Sequence, residues 1–379
     1  MSYLESQIQR VPSGFAKALH LNWGLILLLI AVACFGFLML YSVAGGSMTP
    51  WVEPQMKRFA LGMTLMFVVA FVPIYVWRNL SVLAYLVSLV LLLAVEFFGV
   101  VGMGAQRWID LGFMRLQPSE LMKITLIMLL ATYYDVLDVK KTSRPLWVII
   151  PLLAIMIPVA LVLKQPDLGT SILLMAGGGV VMFAAGVHWL YFAVVILAGV
   201  GLVAAVIFSR GTEWQLLKDY QYRRIDTFLN PENDPLGAGY HITQSKIALG
   251  SGGFTGKGFM EGTQSRLNFL PEKHTDFIFT TLAEEFGFIG GISLLALYGL
   301  IIAFCLVSAL RTRDRFSSLL IIGVAATFFF FFAVNMAMVM GLAPVVGVPL
   351  PLVSYGGSAM LVLLVAFGLV QSAHIHRPR

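Results

Sequence analysis

Apolar runs of about 20 residues, separated by short polar connections, recur along the whole chain. They lie near 22–44, 58–77, 80–100, 117–135, 146–164, 168–186, 189–209, 277–310, 317–341 and 355–374. Runs of that length with few charges predict helices that cross a hydrocarbon layer of about 30 Å. One connection is long, residues 210–276, and it mixes basic, acidic and aromatic residues. In its first part, Glu213 to Leu229, Trp214, Leu217, Tyr220 and Ile225 share a helical face, which predicts an amphipathic helix lying at the interface. The run Asn230-Pro231-Glu232-Asn233-Asp234-Pro235 breaks it, and Tyr240 to Leu249 predicts a second short helix ended by Gly250. The pattern predicts an all-α polytopic membrane protein. Its single membrane domain, 1–379, has about ten transmembrane helices and one large extracytoplasmic loop, 210–276.

Composition agrees. The chain is 59% hydrophobic and 12% charged, about half the charge of a soluble domain. The formal charge of +6 invites a nucleic-acid reading, but its distribution argues against one. With the N-terminus inside, the short inside segments hold Arg10, Lys17, Arg78, Lys140, Lys141, Arg144, Arg311, Arg313, Arg315, Arg377 and Arg379. The short outside loops hold only Lys57, Arg58, Arg107, Arg115 and Lys164. This bias places both termini in the cytoplasm and accounts for the excess charge through topology and anionic lipid. The polar start (Ser2, Glu5, Gln7, Gln9, Arg10) does not read as a signal peptide. Cys34 and Cys305 fall inside apolar runs and read as core residues, and His374 and His376, beside the basic tail, read as surface residues.

Ionisable residues in or at the ends of spanning helices mark candidate chemistry: Glu96, Glu120, Lys123, Asp167, Asp276, Glu284 and Glu285. Most lie at outer helix ends. In Gln117-Pro118-Ser119-Glu120-Leu121-Met122-Lys123, Pro118 suits the first helical position and Glu120 the first turn. Glu120 and Lys123, three apart, either neutralise each other or, with Arg115 and the helix N-terminus, form an anion site suited to a pyrophosphate. Trp108, in the preceding loop, is either an interfacial belt residue or a platform for a sugar ring. Asp167, in Gln165-Pro166-Asp167-Leu168-Gly169-Thr170, either caps a helix or pairs with Lys123. Asp276, in Pro271-Glu272-Lys273-His274-Thr275-Asp276-Phe277, either caps the helix it precedes or serves as a general base or metal ligand at the water–membrane boundary. Gly250-Ser251-Gly252-Gly253-Phe254-Thr255-Gly256-Lys257-Gly258 imitates a phosphate loop. Ser251 and Gly258 break that motif, so it reads as a flexible turn. Pro344, Pro349 and Pro351, followed by Ser354-Tyr355-Gly356-Gly357-Ser358, point to irregular backbone beside a cavity.

These blocks together resemble the SEDS family (shape, elongation, division and sporulation proteins), and within it the RodA-type elongation branch rather than the FtsW-type division branch. The resemblance runs from about Gly24 to Ser372. It is carried by Gly104 to Asp110, Arg115 to Lys123, Gln165 to Thr170, Phe228 to Gly258, Asn268 to Gly287 and Gly341 to Ser358. It implies a peptidoglycan glycosyltransferase in the bacterial plasma (inner) membrane that polymerises lipid II during cell elongation. The GlcNAc 4-hydroxyl attacks C1 of MurNAc, undecaprenyl pyrophosphate leaves, and the anomeric configuration inverts. The family's essential aspartate falls on Asp276, and its other important positions on Trp108, Arg115, Glu120, Lys123 and Asp167, with a first-loop basic residue on Arg58. A divalent cation (Mg or Mn) is implied, with Asp276 a candidate ligand, and no organic cofactor. The implied partners are lipid II, a class B penicillin-binding protein transpeptidase, elongation-complex scaffold proteins and membrane lipid, without nucleic acid. A lipid II flippase is the alternative; it would need polar lining through the full depth of the bilayer, and the inner halves of most runs are apolar. A scaffold role would leave Lys123 and its acidic neighbours unexplained.

Overall fold

The computed structural model describes residues 16–102, 105–110, 112, 115–216, 222, 226, 229, 238–267 and 272–377. The amphipathic helix expected over Glu213–Leu229 and the Pro-rich break after it fall for the most part outside these residues. Helices occupy each apolar run: α1 Trp23–Val43, α2 Val52–Phe71, α3 Ile74–Phe98, α4 Pro118–Val136, α5 Pro145–Lys164, α6 Leu168–Ala184, α7 Trp189–Phe208, then the loop helix α8 Ala238–Ser251, and α9 Ile278–Arg311, α10 Arg315–Val339 and α11 Gly357–Ile375. Among the described residues, seven are long and apolar enough to cross a membrane: α1, α3, α5, α7, α9, α10 and α11. Helix α6 is apolar but shorter, while α2 and α4 carry Glu53, Lys57, Arg58, Glu120 and Lys123. The molecule is a multi-pass membrane protein.

Two boundaries differ from the hydropathy pattern. The second helix spans 52–71 rather than 58–77, and the third begins at Ile74 rather than 80. Pro73 sets this break: the residue before a proline is pushed out of the helical region, and Val72 is extended, with ψ 131°. At its other end α2 runs beyond the apolar stretch because Glu53 and Lys57, four apart, pair at 2.6 Å. Helix α8 runs through Gly250 to Ser251. Cys34 and Cys305 are free thiols. His376 is not a surface residue, being 8% exposed, while His374 is partly buried, its Nδ1 3.2 Å from Ser308 Oγ.

A small antiparallel sheet, β1 Val100–Gly102, β2 Ala105–Asp110 and β3 Arg115–Leu116, links α3 to α4. It defines the hairpin face of the bundle. On the same face α9 is kinked at Gly287 (φ 61°, ψ −156°), a conformation reserved for glycine. A kink frees backbone groups that hydrocarbon cannot satisfy, and the glycine-rich segment after α8 takes them up. Lys257 N donates to Glu284 O and Gly258 N to Glu285 O, both at 3.0 Å, while Phe288 N donates to Gly253 O at 3.0 Å and Ile289 N to Phe254 O at 3.2 Å. The expected flexible turn is thus a strap bonded on both sides of the kink. Gly256 (φ 82°) is required at the closest approach, since a Cβ there would lie 2.1 Å from Glu285 O. The Glu284 carboxylate, 0% exposed, completes the joint. It accepts from Lys257 Nζ (2.6 Å), Thr263 N (2.9 Å), Thr263 Oγ1 (2.8 Å) and Gln264 N (3.1 Å). Glu285 accepts from Ser42 Oγ of α1.

Gly287→Ala is expected to destabilise the protein by at least about 1–3 kcal/mol from backbone strain alone, with the added Cβ 2.3 Å from Gly256 N. Thermal melting in detergent, beside Gly299→Ala, where a Cβ meets nothing within 4 Å, measures it. Equal melting temperatures would contradict the strap.

Candidate functional site

Asp276 lies in the turn 272–277, just before α9. It does not cap the helix: Phe277 takes the N-cap position, with no side-chain capping bond. The turn is held through its backbone instead. Asn335 Nδ2, from α10, donates to Asp276 O at 2.9 Å and to Val348 O at 2.7 Å. Ser354 Oγ donates to Thr275 O at 2.5 Å, and Tyr355 N to His274 O at 2.9 Å. The proline-rich connection 341–356 is therefore stitched along the Asp276 turn, and a Cβ on Gly347 would sit 3.7 Å from Asp276 Oδ2. Among the described residues no hydrogen bond reaches the Asp276 carboxylate itself. Burial, and then the nearby Glu272 carboxylate, push its pKa up to about 6. Burial pushes the His274 imidazole down, so it is neutral at pH 7.

Arg58, on α2, reaches the same region. Its guanidinium lies 4.8 Å over the Tyr355 ring, which is 6.1 Å from the His274 ring, itself stacked on Trp51 at 4.7 Å. Gln55, 0% exposed, donates to Ser354 O at 2.9 Å and ties α2 to the same connection.

At the start of α4 the structure forms the first of the two expected arrangements, the neutralising pair. Lys123 Nζ pairs with Glu120 Oε1 at 2.8 Å, with both side chains buried, and lies 3.9 Å over the Phe331 ring. Asp167 does not pair with Lys123. It caps α6, accepting from Thr170 N at 3.1 Å and Thr170 Oγ1 at 3.0 Å, and from Gln117 Nε2 at 3.2 Å. Its cation is Arg107, with Nη1 at 3.9 Å. Arg107 also donates to Gln165 O (2.9 Å) and Pro166 O (2.5 Å), which clamps the hairpin onto the start of α6. Arg115 is exposed and lies 3.8 Å from Asp110, its partner across β2 and β3. The expected anion site of Arg115, Lys123 and the α4 N-terminus is therefore not assembled: one cation is internally neutralised and the other is on the surface. Trp108 is partly buried in β2, in register with Val100.

Between α4, α10, α11 and the connection lie two small adjoining clefts of about 20 Å³ each, sharing Phe331, Ala359 and Leu363. The first ends at Glu120 and Lys123, and the second at Pro349, Ser354 and Gly356. The structure thus brings Arg58 and Asp276 to the connection and sets Glu120 and Lys123 in the cleft beneath it. Asp167, Arg107 and Trp108 belong to the hairpin side. Sequence reasoning did not single out Asn335, Ser354 or Arg107. Asn335 had a readable signal: a lone amide in the apolar stretch Phe328 to Val339 needs buried partners.

A family model described as cell cycle protein, FtsW/RodA/SpoVE, matches residues 22–379. The peptidoglycan glycosyltransferase MrdB of Escherichia coli K12 is 44% identical over 367 residues, 96% of each chain. MrdB of Helicobacter pylori 26695 is 36% identical over 321 residues, covering 83% of this chain and 80% of that protein. Among solved structures, a chain from a peptidoglycan synthase complex that coordinates polymerization and crosslinking superposes with TM-score 0.81 at 32% identity, covering 93% of this chain and 97% of that one. The rod shape determining protein RodA of Thermus thermophilus superposes with TM-score 0.70 at 30% identity, covering 94% and 97%. Matched along nearly its whole length, this chain belongs to the FtsW/RodA/SpoVE family, the SEDS proteins, on its RodA side.

Proposed function

We propose that this peptidoglycan glycosyltransferase of the elongation type polymerises lipid II at the outer face of the bacterial plasma membrane, with Asp276 as its general base. The observation that carries the reading is the Asp276 turn: α10 and the connection hold its backbone, so its carboxylate is left for a substrate. In this reading the carboxylate takes the proton of the GlcNAc 4-hydroxyl as that oxygen bonds to C1 of MurNAc. The bond from C1 to the undecaprenyl pyrophosphate oxygen breaks, with inversion. A base pKa near 6 suits this role, because the group is ionised at neutral pH yet more basic than an exposed carboxylate. Arg58, Trp108 and Arg115 are assigned to substrate contact. Glu120, Lys123 and Asp167 are assigned to holding the surrounding helices.

A divalent cation would neutralise a leaving pyrophosphate. Among the described residues no three His, Cys, Asp or Glu side chains converge, and Asp276 is the residue that would reach such a cation. The solved complex in which a similar chain coordinates polymerization with crosslinking supports a class B penicillin-binding protein as partner. Elongation-complex scaffold proteins complete the proposed assembly. Ten crossings, with the Asp276 face outward, put both termini in the cytoplasm, as the positive-inside bias supports.

Asp276→Ala should lower polymerisation of labelled lipid II by about 100-fold or more, in protein purified with and without its partner transpeptidase. Melting should be unchanged, because Asn335 bonds the backbone at that position. Glycan chains at the normal rate would refute the base; no chains from the wild type, but lipid II translocation in proteoliposomes, would favour a flippase. The rate should also rise with pH through about 6 and then level. Glu272 opposes ionisation of Asp276, so Glu272→Gln should move that limb to lower pH. A limb that stays put or moves upward contradicts the assignment.

A further inference from the structure

We propose that Trp51 is a positioning residue for the Asp276 turn, setting that turn against α2 by stacking on His274. Its value to catalysis rests on the glycosyltransferase reading above; the clamp itself rests on the geometry. Trp51 stands at the N-cap of α2, with no side-chain capping bond. Short polar side chains are favoured there because they accept from the first amides, which an indole cannot do. Its ring meets a different partner. It lies nearly parallel to the His274 ring, with centroids 4.7 Å apart and an interplanar angle of 15°. The backbone of Trp51 is helical (φ −104°, ψ −43°), so Gln55 and Arg58, at the helical spacings of one and two turns, share its face of α2. Gln55 donates to Ser354 O, and Arg58 lies over the Tyr355 ring. One stripe of α2 thus meets His274, Ser354 and Tyr355.

Helix α2 is a firm surface for such a clamp. A Cβ on Gly62 would lie 2.4 Å from Leu364 Cδ1, and one on Gly368 2.8 Å from Met66 O. Helices α2 and α11 therefore pack at the close range that small residues permit. The backbone bonds to the turn come from other directions. Asn335 of α10 holds Asp276 O, while Ser354 and Tyr355 of the connection hold Thr275 O and His274 O. These bonds grip carbonyls, and none of them fixes the direction of a side chain. The His274 ring supplies that handle. Its Nδ1 is buried with no hydrogen-bond partner, so packing rather than a bond at that nitrogen orients it, with Trp51 stacked on the ring and Tyr355 6.1 Å away.

His274 precedes Asp276 by two residues, a span of at most about 7 Å between α-carbons. Rocking of the imidazole therefore carries the carboxylate with it. A misplacement of about 1 Å at a reacting group can cost on the order of 100-fold in rate. The indole gives a ring face to His274, a face that a platform for a sugar ring would keep free, so the geometry points to positioning rather than to substrate contact.

The test is lipid II polymerisation by protein purified with its partner transpeptidase, joined to amide hydrogen exchange of the turn. Trp51→Ala should lower kcat by roughly tenfold, with KM within about twofold of wild type and a melting temperature near wild type. Trp51→Leu, which keeps apolar bulk without a flat face, should behave the same way, and Trp51→Phe should recover most of the rate. His274→Ala should lower kcat to a similar degree. Combining it with Trp51→Ala should add little, since each removes the same contact. Amides of residues 272–277 should exchange several-fold faster in Trp51→Ala and at the wild-type rate in Asp276→Asn, which tests the clamp whichever residue is the base. Wild-type kcat in both Trp51→Ala and Trp51→Leu, or unchanged exchange in Trp51→Ala, would overturn the proposal. So would a raised KM at unchanged kcat, since Trp51 would then touch substrate, or effects of Trp51 and His274 that simply add.

Discussion

Backbone amides and carbonyls at membrane depth must find partners inside the protein, since hydrocarbon offers none. Straight helices meet that demand locally. This fold departs from straight helices on its hairpin face, at the α9 kink and in the connection 341–356, and each departure is matched by bonds from elsewhere in the chain. The strap 252–258 supplies the partners that the kink removes. Asn335 spans the Asp276 turn and the connection with a single amide group. Irregular backbone sets the Asp276 carboxylate beside the connection, and these long-range bonds stabilise that backbone.

The same economy governs charge. Taking an ion out of water costs several kcal/mol unless it is paired, and removing one partner of a buried pair costs about 3–5 kcal/mol. Glu120 with Lys123, Glu284 with Lys257 and three amide or hydroxyl donors, and Asp167 with Arg107, Gln117 and Thr170 all meet that condition. They hold helices and hairpin in place. Among the described residues, Asp276 and Arg58 stand apart from these pairs, and both border the connection. Unsatisfied groups are where shifted pKa values and chemistry tend to concentrate, and the satisfied groups keep these two in position.

Much of the architecture was legible from hydropathy, because an apolar run of membrane length forms its helix from its own backbone bonds. Runs 22–44 and 317–341 became α1 and α10 with ends shifted by a residue or two. The α2–α3 boundary moved further because Pro73 acts on the backbone and leaves no trace in a hydropathy average. The Glu120–Lys123 pair was legible because residues three apart share a helix face. The glycine-rich run after α8 was read as a flexible turn, since nothing local says that it closes on a kink beginning some 30 residues later.

What the sequence by itself determined is the membrane class, the helices and, through its motif blocks, the family, all of which depend on residues close together in the chain or on fixed local order. Tertiary structure alone decided which charges neutralise one another. It gave Asp167 to Arg107 and left Lys123 to Glu120, put Asn335 under Asp276, and laid Arg58 against the start of α11. The physical reason is that hydrogen bonding and ion pairing act over a few ångströms in space. Residues 60 or 300 positions apart become neighbours only after the helices have packed.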